Sequence, residues 1–219
     1  MAELIVVRHG QASFGAGDAG SYDRLSDLGR RQSEAAGAAL RAAGWIPDRL
    51  ICGTLDRQRE TLAGMGFDGA VEEHPGWNEY DFHDLLAVRF GGDVPDPVRG
   101  DRKTHFRTLR EVILDWQAGG LEGAAETYAG FAGRVAAARA HATDTTAERV
   151  LVVSSGGVIG QLVAASLDAP AKQMIALNLQ VKNTSMSRFI FSGQRFFLHE
   201  FNTTPQFATP EGAELLSYS

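Results

Sequence analysis

Arg8, His9 and Gly10 stand together at the end of a strongly apolar run, Leu4-Ile5-Val6-Val7. An imidazole can act as a nucleophile or carry a proton near neutral pH. A guanidinium presents a planar fork of donors that matches phosphate oxygens. A glycine beside them lets backbone approach a ligand that a Cβ would block. Together these types suit phosphoryl chemistry. The competing reading is a strand end with a surface arginine and a structurally bonded histidine, and the tripeptide alone does not separate the two.

Three further stretches carry groups of the same kind. Gly53-Thr54-Leu55-Asp56-Arg57-Gln58-Arg59-Glu60-Thr61 puts Arg57 in the first turn of an expected helix. A cation is unfavourable there in dipole terms unless an anion lies between it and the helix end. Trp77-Asn78-Glu79-Tyr80-Asp81-Phe82 sets acids among aromatic residues. Such surroundings raise a carboxyl's affinity for its proton, as a general acid requires. Ser154-Ser155-Gly156-Gly157 follows a buried strand and opens a helix, an anion-binding arrangement built from backbone amides. A serine-hydrolase elbow is a poor alternative, because no glycine stands two positions before either serine. Gly15-Ala-Gly17-Asp-Ala-Gly20 formally matches a dinucleotide fingerprint but opens no helix, so it reads as a loop over the site.

Arg8-His9-Gly10, followed by Leu25-Ser26-Asp27-Leu28-Gly29-Arg30-Arg31-Gln32, resembles the histidine phosphatase superfamily, the phosphoglycerate-mutase-like proteins. Residues 53–61 resemble the family's Ser-x-Leu-x-Arg motif, with Gly53 where serine is common. The resemblance implies a single domain over 1–219, a three-layer α/β/α fold with a mostly parallel central sheet. It also implies a helical cap insertion over roughly 83–125, with the helix near 128–142 in the core.

For the site, the resemblance implies that His9 is phosphorylated and that Arg8, Arg57 and backbone N–H groups hold the phosphoryl oxygens. Glu79 is the implied general acid, with Asp81 and His83 as competing candidates. Ser155 stands where the family's second catalytic histidine is expected, and Ser155 with Gly156 falls among the phosphate-binding positions. A serine hydroxyl donates without charge, and charge-assisted bonds are roughly twice as strong as neutral ones. A slowed enzyme is therefore expected, unless His83 or His199 substitutes.

No metal or other cofactor is implied. The leading reading is hydrolysis of small-molecule phosphate esters. A non-catalytic phosphate-ester binder is the alternative, and a phosphoglycerate mutase ranks last. The resemblance is compatible with a homodimer.

The elements that would position these groups can be read from patterning. Leu4–Val7 and Val150–Val153 are β-branched runs typical of buried parallel strands. Arg49–Cys52 and Val71–His74 read as further strands, and Thr184–Phe191 with Gln194–Phe201 as an antiparallel hairpin around Ser192-Gly193. Ser26 caps a helix whose apolar face is expected to be Leu28, Ala35, Ala36, Ala39 and Leu40. Phe106, Leu109, Ile113 and Trp116 mark a second helical stripe, and Tyr128, Phe131, Val135 and Ala138 a third. The tail after Pro205 reads as a surface extension.

The chain has 219 residues, 44% of them hydrophobic, enough for one packed α/β domain. A net charge of −6 argues against a nucleic-acid surface. Arg99, Arg102, Lys103, Arg107 and Arg110 form a local basic run that is either a solvated helix face or a grip on a second anionic group. The single cysteine, Cys52, cannot form an internal disulfide, which fits a reducing cytoplasm. No stretch has the length of a membrane helix, and strand one begins at once, so neither membrane insertion nor a signal peptide is expected.

Overall fold

The computed structural model describes residues 1–13, 23–95, 102–193 and 195–218. The glycine-rich stretch before Ser21 and Arg99 of the basic run lie outside these residues. Strand β1 (Ala2–Arg8) buries Leu4 to Val7 almost completely. Because side chains alternate along a strand, Leu4 and Val6 enter one core cluster and Ile5 and Val7 another. One strand thus supplies both faces of the sheet.

The remaining strands are β2 (Arg49–Cys52), β3 (Val71–Glu73), β4 (Arg149–Ser154), β5 (Met186–Ser192) and β6 (Arg195–Thr203). They form a six-stranded sheet in the order β3-β2-β4-β1-β5-β6. β1 to β4 run parallel, and β5 and β6 add an antiparallel edge. The register sets Arg8 beside Ser154, Cys52 beside Val153, and Glu73 beside Cys52. Four carboxyl ends therefore share one rim, where open α/β sheets collect their chemistry.

Helices α1 (Asp27–Ala42) and α2 (Asp56–Gly64) cover one face. The other carries α3 (Phe82–Phe90), α4 (Arg102–Gln117), α5 (Tyr128–Thr143) and α6 (Gly156–Ser166). Two short helices, α7 (Gln173–Asn178) and α8 (Pro210–Ala213), complete the chain. Three layers result, with a mostly parallel sheet between. In α4 the expected stripe holds, with Ile113 and Trp116 buried, whereas Arg107 and Arg110 of the basic run are exposed. In α5, Phe131, Val135 and Ala138 are fully buried. The hairpin turns at Gly193, whose φ of 57° is the left-handed conformation that glycine adopts without strain.

Two expectations are corrected. Ser26 does cap α1, accepting from the Gly29 N–H at 3.1 Å. The buried face, however, is Gly29, Gln32, Ser33, Ala36, Gly37 and Leu40. Close backbone approach selects it. A Cβ on Gly37 would lie 1.9 Å from the Met65 carbonyl oxygen, just past α2. Gly37→Ala gains up to about 1 kcal/mol of helix propensity but forces α1 and α2 apart, an overpacking that costs about 1–3 kcal/mol. Urea denaturation should show net destabilisation.

The second correction concerns the tail. Phe207 and Leu215 are buried. Gln32, fully buried inside α1, donates to the Leu215 carbonyl at 2.6 Å and to Ser217 Oγ at 2.8 Å. A buried carboxamide needs partners, and the tail supplies them.

Candidate active site

His9 follows the last residue of β1. Its backbone N–H donates to the Ser154 carbonyl at 2.9 Å, and its carbonyl accepts from Asn183 Nδ2 at 3.2 Å. Asn183 Oδ1 accepts from Ser217 Oγ at 2.9 Å. The corrected tail thus braces the histidine's backbone from behind.

The ring's own contacts fix its tautomer. Nδ1 lies 2.8 Å from the Gly10 carbonyl oxygen, which can only accept, so Nδ1 carries the hydrogen. Arg57 Nε, which can only donate, reaches Nε2 at 3.3 Å. Both contacts leave the lone pair on Nε2. Burial lowers the His9 pKa well below the usual histidine range, and Arg57 and Arg8 push it further the same way. The neutral ring is the resting form.

Arg57 projects from the first turn of α2 with its side chain only 11% exposed. Its Nη1 pairs with Asp23 Oδ1 at 2.6 Å, while Asp23 Oδ2 accepts from the Asp56 N–H at 2.9 Å. The Arg57 carbonyl accepts from Thr61 Oγ1 at 2.7 Å, and the same Oγ1 accepts from the Gly10 N–H at 2.9 Å. Thr61 therefore ties the arginine's helix to the histidine's loop. Arg8 donates through Nη1 to the Val181 carbonyl. Its Nε passes 3.6 Å from where a Cβ on Gly156 would stand.

Glu79 comes from the loop after the short 3₁₀ turn Pro75–Trp77. Its Oε2 accepts from the Gly157 N–H at 2.9 Å, in the first turn of α6, and its Oε1 from the Tyr80 N–H at 3.2 Å. A Cβ on Gly157 would lie 2.3 Å from Glu79 Oε1 and 2.3 Å from Tyr80 Cε1, so only glycine admits them. Burial raises the Glu79 pKa above the usual carboxyl range, against the opposing pull of the Gly157 amide, Arg57 and Arg8. The same two arginines act electrostatically on both His9 and Glu79.

Of the competing acids, Asp81 caps α3, accepting from the His83 and Asp84 N–H groups at 3.0 and 3.1 Å. His83 is exposed on α3, and His199 is exposed on β6. Ser155 lies beside the centre, but its hydroxyl is buried against Gln58, whose Nε2 donates to Ser155 Oγ at 2.9 Å. Cys52 is also buried, and burial pushes its thiol up to about 11. Among the described residues no group of three or more His, Cys, Asp or Glu side chains is arranged to hold a metal, and no helix is long and apolar enough to cross a membrane.

Several contributors escape sequence reasoning. Arg134 on α5 donates to the carbonyls of Gly76, Asn78 and Glu79 at 3.2, 2.6 and 3.4 Å and pairs with Glu126 at 2.6 Å. Asn78 exchanges hydrogen bonds with Thr54, both at 2.7 Å. These bonds clamp the Glu79 loop to α5 and to the start of α2. The one usable signal was Asn78 beside the candidate acid.

The profile of the histidine phosphatase superfamily (branch 1) matches residues 4–204. The chain belongs to the histidine phosphatase superfamily. Solved structures share the fold. A mutant phosphoserine phosphatase from Entamoeba histolytica in complex with phosphoserine has a TM-score of 0.66 at 18% identity, covering 94% of this chain and 99% of that one. A mycobacterial glucosyl-3-phosphoglycerate phosphatase with inorganic phosphate has a TM-score of 0.65 at 23% identity, with 94% and 99% covered. A protein described as mycobacterial hydrolase 2 has a TM-score of 0.69 at 22% identity, with 98% and 96% covered. No curated protein matches the chain in sequence.

Proposed function

We propose that this member of the superfamily is a phosphomonoesterase that hydrolyses small-molecule phosphate esters through a phosphoryl group carried on His9 Nε2. The observation that carries the reading is the ring's state: a neutral imidazole with its lone pair on Nε2, facing Arg57. In the first step Nε2 attacks phosphorus and the ester P–O bond breaks. Glu79, whose hold on its proton burial strengthens, gives that proton to the departing oxygen. In the second step the Glu79 carboxylate takes a proton from water, whose oxygen attacks phosphorus. The P–N bond breaks, the neutral ring returns and inorganic phosphate leaves. Arg8, Arg57 and the N-terminal amides of α6, starting at Gly156, hold the phosphoryl oxygens. Positioning and charge stabilisation account for most of the catalysis in such transfers. The helices within 83–125 form the cap over the substrate.

Ser155 favours a second reading. With its hydroxyl turned onto Gln58, the site has no charged donor at that position, and a phosphate-ester binder without turnover is the alternative.

Rapid mixing with a phosphate ester, followed by an alkaline quench and mass analysis, tests the proposal. One phosphoryl group per chain, on the peptide holding His9 and labile to acid, is the expected result. Turnover without any phosphoenzyme would overturn the intermediate. Tight binding with neither turnover nor phosphoenzyme would establish the second reading.

A further inference from the structure

Gln58 joins three segments of the site through one fully buried side chain. Its Nε2 donates to the Trp77 carbonyl at 3.0 Å, on the loop leading to Glu79, and to Ser155 Oγ at 2.9 Å, at the mouth of α6. Its own backbone is next to Arg57. A carboxamide nitrogen has two hydrogens, and both are used. The Ser155 oxygen is therefore the acceptor of this bond.

Room for the carboxamide depends on position 53. A Cβ on Gly53 would stand 1.9 Å from Gln58 Oε1 and 2.5 Å from Asn78 Oδ1. The missing side chain at the end of β2 is the space that both amides occupy. The Trp77 carbonyl does not rely on Gln58 alone, because Ser154 Oγ also donates to it at 2.7 Å.

We propose that Gly53, Gln58 and Ser155 are one coupled unit, in which Gln58 is a positioning residue that fills the space beside position 155 and sets what that position can carry. This rests on the phosphomonoesterase reading for its catalytic readout. A ring at position 155, built along the Cβ–Oγ direction of the serine, must extend past an atom already 2.9 Å from Gln58 Nε2. Ser155 is fully buried, and the carboxamide is the group its hydroxyl already meets. Ser155→His alone therefore collides with the carboxamide. Gln58→Ala removes the carboxamide beyond its Cβ and opens that volume.

Ser155→His should act differently in the presence and absence of the Gln58 carboxamide. The test is a double-mutant cycle of Gln58→Ala and Ser155→His, reading kcat and KM on an aryl phosphate, inorganic phosphate binding by calorimetry, and thermal melting. Ser155→His in the wild-type background should lower the melting temperature and give no gain in kcat or phosphate affinity. The same change on top of Gln58→Ala should raise kcat and phosphate affinity roughly 10-fold over Gln58→Ala alone, a coupling within the range of contacting residues. Equal effects of Ser155→His in both backgrounds would overturn the unit. Recovery of melting temperature without any gain in phosphate affinity would reduce Gln58 to a structural filler and overturn its positioning role. The phosphoenzyme reading fails separately, if activity in the double variant survives His9→Ala. Calorimetry and melting still decide the coupling in that case.

Discussion

His9→Ala should reduce kcat on any phosphate ester by at least roughly 10³-fold and remove the phosphoenzyme, while the chain stays folded and still binds inorganic phosphate. Loss of a covalent nucleophile costs up to about 10⁶ in a well-studied hydrolase. Here no described group stands ready to replace it, since His83 and His199 are exposed on α3 and β6. Binding should persist because Arg8, Arg57 and the α6 amides do not depend on the imidazole. The ring's removal also relieves the contact with Arg57 Nε, leaving that donor for a phosphate oxygen. Phosphate affinity should therefore hold steady or rise. Residual activity above about a tenth of wild type would point to water attacking directly, in a site that only grips the ester.

Glu79→Gln should produce the second largest loss, together with a change in the pH profile. In the proposed mechanism the working form has His9 neutral and Glu79 protonated. Activity should rise with pH as His9 loses its proton, on a limb below the usual histidine value of about 6.5 because its pKa is lowered. It should fall again as Glu79 loses its proton, on a limb above the ordinary carboxyl value because its pKa is raised. Both shifts enlarge the share of chains in which His9 is neutral while Glu79 keeps its proton, the pattern expected when environment assigns a base and an acid. Glutamine cannot titrate, so the alkaline limb should vanish and kcat should drop about 10²–10⁴-fold on alkyl esters. Aryl phosphates, whose leaving oxygen needs less help, should suffer less. An alkaline limb that survives unchanged in Glu79→Gln would assign the acid elsewhere.

How much was legible in the sequence depended on whether a residue's role repeats along the chain. Leu4–Val7 and Val150–Val153 are buried on both faces, and such strands announce themselves by composition. Arg8, His9, Arg57, Glu79 and Gly156 each sit just beyond or beside a strand end, so finding the strands nearly located them. Gln32, Gln58, Asn183 and Arg134 did not show. Each is a polar residue whose purpose is a hydrogen bond to a distant segment, and such bonds leave no period in the sequence. The face of α1 was misjudged for a related reason. Its contacts are set by absent side chains at Gly29 and Gly37, where backbone meets backbone, while hydrophobic patterning counts only the side chains that are present. Gly53 looked like a mild departure, and its meaning appeared only with Gln58 and Asn78 packed against it.

β1 leaves the ribosome long before the strands that flank it. Its neighbours on either side are β4 and β5, so both of its edges stay open until most of the chain has been made. At roughly 5–20 residues per second, the interval until β4 is made is about seven to thirty seconds. Throughout it, four consecutive apolar residues wait without hydrogen-bonding partners, the kind of open edge on which chains aggregate. His9 is thus synthesised well before the strand that completes its surroundings. Chains ended before β4 should carry the intact Arg8-His9-Gly10 motif, show no activity and accumulate in the insoluble fraction.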